Sequence, residues 1–152
     1  MGERKRMIYT DATRKAMKIM YQQHMGQTDK SGVPYCFHPW HVAESMQDEL
    51  TACAALLHDV IEDTDMTIEE LAEEGFSEPV LVALEILSRP EGVSYDDYIR
   101  RIAPNEIARK VKISDLRHNM DETRLRRITA KDEARREKYE RSLRYLEEFE
   151  HI

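Results

Sequence analysis

The segment Leu56-Leu57-His58-Asp59-Val60-Ile61-Glu62-Asp63 joins a strongly apolar run to a burst of His, Asp, Glu and Asp. An ionised carboxylate next to a buried stretch is costly unless it is paired or bound to a metal. Asp59, beside His58, therefore asks for a cation. Two further candidates lie elsewhere in the chain. His38 follows a glycine-containing loop and precedes Pro39, and Asp115 lies within Lys112-Ile113-Ser114-Asp115-Leu116-Arg117-His118-Asn119. Asp115 and Asn119 are four apart and share a helical face that Val111 opens as apolar. A helix has this pattern when its inner surface reaches a buried polar site. Two imidazoles and two carboxylates make a mixed N/O set that suits Mn²⁺, Fe²⁺ or Zn²⁺, with positions left for water and substrate. Glu62 stands four residues after His58, where it can reach over such a metal. Either Glu62 or Asp63 can orient an attacking water and take its proton. Their plainer role is capping and solvation of a loop.

Helices must position these groups. Thr10 or Asp11 caps a first helix with an apolar face of Ala12, Ala16, Ile19 and Met20, ending near Met25-Gly26. A polar loop, 27–37, carries Gly32 and Pro34. Pro39 suits the first turn of a second helix running to about Gln47. Thr51 is expected to open a third, Ala52 to Val60, apolar nearly all round and hence central. Thr67 and Glu70 form a capping box for a short helix stopped at Gly75. Pro79 starts another, Tyr95 to Ile102 is short, and Asn105 caps a long one reaching about Met120. A last helix runs from about Ala130 to Phe149, docked by Tyr139, Leu143, Leu146 and Phe149. No period-2 strand stands out. The expected fold class is all-α, a single domain over 1–152 built as a bundle of about seven or eight helices.

Bulk properties agree. The chain has 152 residues, enough for one hydrophobic core, with only five Gly and five Pro. The formal net charge of −7 argues against a duplex nucleic-acid partner, and the Arg124, Arg126, Arg127 cluster reads first as solvated helix ends. A small phosphorylated ligand remains compatible, since a bound metal dominates its local field. Cys36 and Cys53 form neither a disulfide framework nor a CxxC site, which suits a reducing cytoplasm. The charged N-terminal stretch lacks the apolar region of a secretory signal and a myristoylation motif, and no run is long and apolar enough for a membrane span.

Three blocks carry a resemblance to a known family. They are Lys30-Ser31-Gly32-Val33-Pro34-Tyr35-Cys36-Phe37-His38-Pro39, Ala55-Leu56-Leu57-His58-Asp59-Val60-Ile61-Glu62-Asp63-Thr64, and Val111-Lys112-Ile113-Ser114-Asp115-Leu116-Arg117-His118-Asn119. In order and spacing they resemble the HD superfamily, most closely the hydrolase domain of RelA/SpoT-type alarmone enzymes, including the small stand-alone hydrolases. The resemblance implies one metal, usually manganese, on His38, His58, Asp59 and Asp115. It implies that Glu62 and Asp63 act on the attacking water, and that Lys30, Ser31 and Asn119 contact the nucleotide. The implied reaction is removal of the 3′-pyrophosphate of (p)ppGpp. The synthetase domain of the long enzymes has no counterpart within these 152 residues.

Two positions depart from the family pattern. Asp29 stands where a basic residue commonly precedes the lysine, and Asp121-Glu122 follow Met120 where Arg-Thr is frequent. Both changes are acidic and both lie near the expected nucleotide. The leading reading is thus a metal-dependent phosphohydrolase with ppGpp as best guess. Hydrolysis of another nucleotide phosphoester is the alternative, and a ligand-binding regulatory module with little catalysis is the alternative from a different class. His118 points off the Asp115-Asn119 face and is not counted as a ligand. Tyr35 either stacks on a base or packs under the loop. The oligomeric state is not readable from the pattern of the last helix.

Overall fold

The computed structural model describes residues 6–151, with the side chain of Glu122 outside the described set. The N-terminal readings that rest on residues 1–5, and the contribution expected of the Glu122 side chain, therefore lie outside the described residues. Among the described residues the elements are α1 (Asp11–Gln23), α2 (Phe37–Glu44), α3 (Glu49–Leu57), α4 (Val60–Asp63), α5 (Ile68–Glu73), α6 (Glu78–Leu87), α7 (Tyr95–Ile102), α8 (Glu106–Asn119), a 3₁₀ turn (Glu122–Arg124) and α9 (Ala130–Glu150). The α4 segment is a single turn that follows almost directly on α3, which leaves eight longer helices, as the all-α reading expects. The only β feature among the described residues is an isolated bridge between Thr28 and Pro34.

The centre of the bundle is α3. Every residue from Thr51 to Leu57 is buried, and α1, α2, α6 and α8 pack around it. Burial of a Leu-sized side chain contributes about 1.5–3 kcal/mol, so Leu56, Leu57 and the alanines between them hold this helix in place. Three boundaries differ from expectation. The α3 helix starts at Glu49 rather than Ala52, because the Asp48 side chain accepts from the Thr51 backbone N–H and caps it three residues earlier, and it ends at Leu57 rather than Val60. The α2 helix stops at Glu44 rather than near Gln47. Pro39 sits in its first turn, where a missing N–H costs nothing. Trp40, the next residue, is partly buried against the core.

Side-chain caps punctuate the rest. Thr67 and Glu70 form the expected capping box, Ser94 caps α7, and Asn105 caps α8. Thr129 and Asp132 form a further capping box at the start of α9. That long helix is mostly solvated and docks through Leu146, with Tyr139, Leu143 and Phe149 packed beside it. No described helix is long and apolar enough to cross a membrane.

Candidate metal centre and its cavity

Four elements deliver the candidate ligands. His38 lies in the first turn of α2, His58 caps the C-terminus of α3, Asp59 precedes α4, and Asp115 lies in the second half of α8. His38, His58 and Asp115 are all buried, and one ligand atom from each falls within 4.8 Å of the others. Asp115 Oδ1 is 2.8 Å from His38 Nε2 and 3.5 Å from His58 Nε2. Asp59 Oδ2 joins from the side, 3.0 Å from His58 Nε2 and 3.9 Å from His38 Nε2. Residues as far as 77 positions apart in sequence thus meet at one point, because α2, α3 and α8 pack against one another.

The donor chemistry of this point fits a divalent cation. His58 Nδ1 lies 2.5 Å from the Ala55 carbonyl, so its N–H donates there and leaves the lone pair on Nε2. That buried Nε2 has no hydrogen-bond partner, yet it faces two carboxylates. With no metal between them, burial would lower the His58 pKa, but Asp59 and Asp115 outweigh it and raise His58 well above the ordinary imidazole value, so a proton settles on Nε2; a divalent cation held by the same groups would take that proton's place. Burial alone would raise the Asp115 carboxyl, but Lys112, His38 and His58 hold it well below the ordinary carboxylate range. Burial likewise opposes ionisation of Asp59, and His58 outweighs it, bringing Asp59 to about 2. Both carboxylates are therefore available as anions.

The groups around this centre orient it. Lys112 Nζ donates to Asp115 Oδ2 at 2.9 Å and lies over the Tyr98 ring, 5.2 Å from its centroid. Burial would lower the Lys112 pKa, but Asp115 raises it well above the ordinary lysine value, so the ammonium stays charged. Asn119 donates to Asp115 Oδ1 at 3.1 Å. Tyr35 donates its hydroxyl to Asp59 Oδ2 at 2.5 Å, and burial beside Asp59 raises its pKa, keeping it a donor. His38 Nδ1 lies 2.7 Å from Nδ1 of His118, whose ring stacks between those of His38 and His41. Burial and the nearby Arg124 push His118 down to about 3, so it is neutral and can accept from His38 Nδ1–H. His38 Nε2 then turns to the centre, where it meets Asp115 Oδ1 at 2.8 Å.

A cavity of about 380 Å³ opens from His38, Tyr35 and Asn119 toward solvent. Lys30 and Ser31 line it, together with Arg124 and Arg135. Ser31 donates its hydroxyl to the Arg124 carbonyl at 2.8 Å, and Lys30 pairs with Asp132 at 3.3 Å. Glu62 and Asp63 lie on α4 beside Asp59 and are not among the residues that line this cavity. Glu62 accepts a hydrogen bond from the Arg89 backbone N–H. Among the described residues no hydrogen bond engages the Asp63 carboxylate; burial, Asp59 and Glu62 raise its pKa to about 6.

The acidic departures look different in three dimensions. Asp29 Oδ1 accepts from the backbone N–H of Ser31 at 2.8 Å and of Val33 at 3.0 Å, closing the loop on itself. Gly32 takes φ +82° inside that loop, a conformation that disfavours any side chain. Asp29 Oδ2 pairs with Arg124 at 3.8 Å. Asp121 folds back in the same way, accepting from the Thr123 backbone N–H at 3.0 Å and from its hydroxyl. Both residues line the cavity, Asp29 with each oxygen engaged and Asp121 bound through Oδ1.

Sequence reasoning had not assigned roles to Lys112, His118 and Arg124. Lys112 had a usable signal, since it is three residues before Asp115 on one helix. His118 and Arg124 had none, because their partners His38 and Asp29 come from distant segments.

Comparison with known proteins agrees with the geometry. The family described as HD domain matches residues 16–118. The bifunctional (p)ppGpp synthase/hydrolase SpoT of Escherichia coli K12 is 36% identical over 124 residues, 70% of this chain and 17% of that protein. The guanosine-3′,5′-bis(diphosphate) 3′-pyrophosphohydrolase of Vibrio cholerae is 37% identical over 108 residues, 68% of this chain and 15% of that protein. The chain therefore spans less than a fifth of the length of these relatives. A solved structure described as a metazoan ortholog of SpoT that hydrolyzes ppGpp superposes with a TM-score of 0.73, at 20% identity, over 90% of this chain and 85% of that one. That likeness shows the fold. With its family match over residues 16–118 and its all-helical architecture, the chain belongs to the HD-domain family.

Proposed function

We propose that this chain is a metal-dependent phosphohydrolase, and that its substrate is guanosine 3′,5′-bis(diphosphate), cleaved at the 3′-pyrophosphate. The observation that carries this reading is the buried meeting of His38, His58 and Asp115, with Asp59 beside them, at a point that His38 joins to a cavity lined by Lys30, Arg124 and Arg135. Relatives named for (p)ppGpp hydrolysis support the choice of substrate. His38, His58, Asp59 and Asp115 would hold one divalent metal, manganese by preference of the resemblance, with Fe²⁺ and Zn²⁺ compatible with the same donors. When bound, such a metal supplies Lewis-acid activation of water and neutralises charge at a phosphoryl group.

The chain's own residues do the remainder. Asp63 is the better general base of the two candidates, because its carboxylate is raised toward neutrality and is not engaged, whereas Glu62 is tied to the Arg89 backbone. Lys30 and Arg124 neutralise phosphate charge, Ser31 and Asn119 orient the nucleotide, and Lys112 holds Asp115 in place. The two thiols, Cys36 and Cys53, are unpaired, which suits a reducing cytoplasm.

A manganese-supplemented hydrolysis panel of ppGpp, NADPH, nucleoside mono- and triphosphates and a generic phosphodiester tests the reading. Turnover of ppGpp that disappears in Asp59→Ala is the expected result. Turnover of a different panel member alone would favour the second reading, an HD hydrolase of another nucleotide phosphoester. No turnover of any member with metal bound would leave a regulatory binding module.

A further inference from the structure

The end of α1 and the short α4 meet through one side chain. His24 caps the C-terminus of α1 and is 2% exposed. The chain reverses at Gly26, whose φ of +86° favours glycine, and the Gln27 backbone N–H donates to the His24 carbonyl at 3.0 Å. The Gln27 side chain then bridges two groups. Its Oε1 lies 2.8 Å from His24 Nδ1, and its Nε2 donates to the Asp63 carbonyl at 3.0 Å, across 36 positions of sequence.

Both ends of that bridge have a fixed polarity. A backbone carbonyl only accepts, so the Gln27 amide nitrogen faces Asp63 and Oε1 faces His24. Burial lowers the His24 pKa against the pull of Gln27, so the ring is neutral and carries a single N–H. That N–H sits on Nδ1, the nitrogen that meets Oε1. His24 Nε2 is buried and has no hydrogen-bond partner among the described residues, so no second contact competes for the ring.

Asp63 needs such a hold. It is the last residue of α4, a helix of one turn, too short to be stable by its own hydrogen bonds. Its N–H donates to the Asp59 carbonyl at 2.9 Å inside that turn. Its carbonyl is one of the helix-end acceptors left without an intrahelical donor, and Gln27 supplies the donor from another segment. The Asp63 backbone is thereby held at both its N–H and its C=O. Gln27 holds the cavity loop as well, since its own carbonyl accepts from the Tyr35 N–H at 2.9 Å.

We propose that Gln27, kept in one orientation by His24, is a positioning residue for Asp63, aiming its carboxylate at the water that attacks the phosphate. The role rests on the phosphohydrolase reading with Asp63 as base. Neither His24 nor Gln27 lines the cavity, so both act on the rate and not on the binding of substrate.

Gln27→Glu is nearly isosteric. It keeps an oxygen for His24 and puts an acceptor where the donor to Asp63 stood. In the manganese-loaded chain, kcat for ppGpp should fall about tenfold to a hundredfold while KM and metal affinity stay put. A raised KM with kcat unchanged would mean that Gln27 acts through the cavity loop, and it overturns the positioning of Asp63. His24→Leu frees the amide to turn and should lower kcat in the same way. His24→Asn, whose amide N–H can stand where Nδ1–H stands, should recover most of that loss; equal losses in the two overturn the part given to His24. Carbonyl ¹³C NMR of the chain loaded with diamagnetic Zn²⁺ reads the bridge without turnover. The Asp63 carbonyl signal should move upfield in Gln27→Glu while those of Val60 and Ile61 stay put. An unmoved Asp63 signal overturns the bridge. If wild type cleaves no member of the panel and the signal still moves, the phosphohydrolase reading fails and the bridge stands as a clamp on α4.

Discussion

The candidate metal centre and the mouth of the cavity are built in opposite ways. At the centre, which reaches the cavity through His38, the side chains of His38, His58 and Asp115 are buried, carried by α3 and by helices packed around its buried stretch from Thr51 to Leu57. At the mouth, Lys30, Arg126, Arg127 and Lys131 stand on loops and a helix start, exposed or nearly so, and held by ion pairs or by nothing. Charges at the centre are coupled to folding, because each would be a buried, uncompensated group without its neighbours. Charges at the mouth are coupled to ligand, because solvent already accommodates them. The difference teaches that the chemistry and the specificity of this fold can change independently. Substitutions at the mouth, such as Asp29 for a basic residue, leave the centre untouched.

The contrast is sharpest at Asp115. Asp115→Ala should abolish metal binding, read by calorimetry, and strand the buried Lys112 ammonium. The expected loss is about 3–5 kcal/mol in urea denaturation. Adding Lys112→Met should recover most of that stability without restoring metal binding. If stability is not recovered, Lys112 and Asp115 are not a coupled pair. Asp63→Asn comes next. If Asp63 is the base, the rate should fall by about 10²–10⁴. In the wild type, activity should decline as pH drops through about 6. That acid limb should be absent from the residual activity of Asp63→Asn; a retained limb would assign the titration to another group. Its stability effect has a definite sign. The folded pKa is raised, so the ionised form is disfavoured by folding above about pH 6 and costs nothing below the unfolded carboxylate value near 4. Asp63→Asn should therefore stabilise the chain slightly at about pH 8, by less than about 1 kcal/mol since the residue is exposed, and leave acid stability unchanged.

Smaller effects belong to the mouth. Thr129→Ala removes the cap of α9 and should cost about 1 kcal/mol in thermal or urea unfolding. Asp29→Asn keeps an oxygen for Ser31 and Val33 but removes the charge facing Arg124. Its stability should change by less than about 0.5 kcal/mol, while the KM for the nucleotide shifts. A large stability loss there would break the division between centre and mouth.

That division also explains what was legible beforehand. Helices with periodic faces and local caps, such as Thr67-Glu70 and Asn105, could be read because cap and helix are sequence neighbours. The candidate ligands could be read because a buried His-Asp step after an apolar run has few other uses. The mouth could not. Asp29 read as a repelling acid, yet its carboxylate closes its own loop and meets Arg124, 95 positions along the chain. The cap of α3 was placed three residues late because Asp48 and Thr51 both suit the role, and only the geometry shows which one accepts. His118 is not counted among the candidate ligands on its helical face, and its contact with His38 crosses 80 residues and leaves no trace in spacing.

One residue of α2 makes much of this observable without a label. Trp40 is the single tryptophan of the chain, two positions after His38 and packed partly against the core. Intrinsic fluorescence excited at the indole therefore comes from one place, the helix that carries a candidate ligand. A paramagnetic ion such as Mn²⁺ arriving at His38 should quench that emission, so one optical signal reports occupancy of the centre.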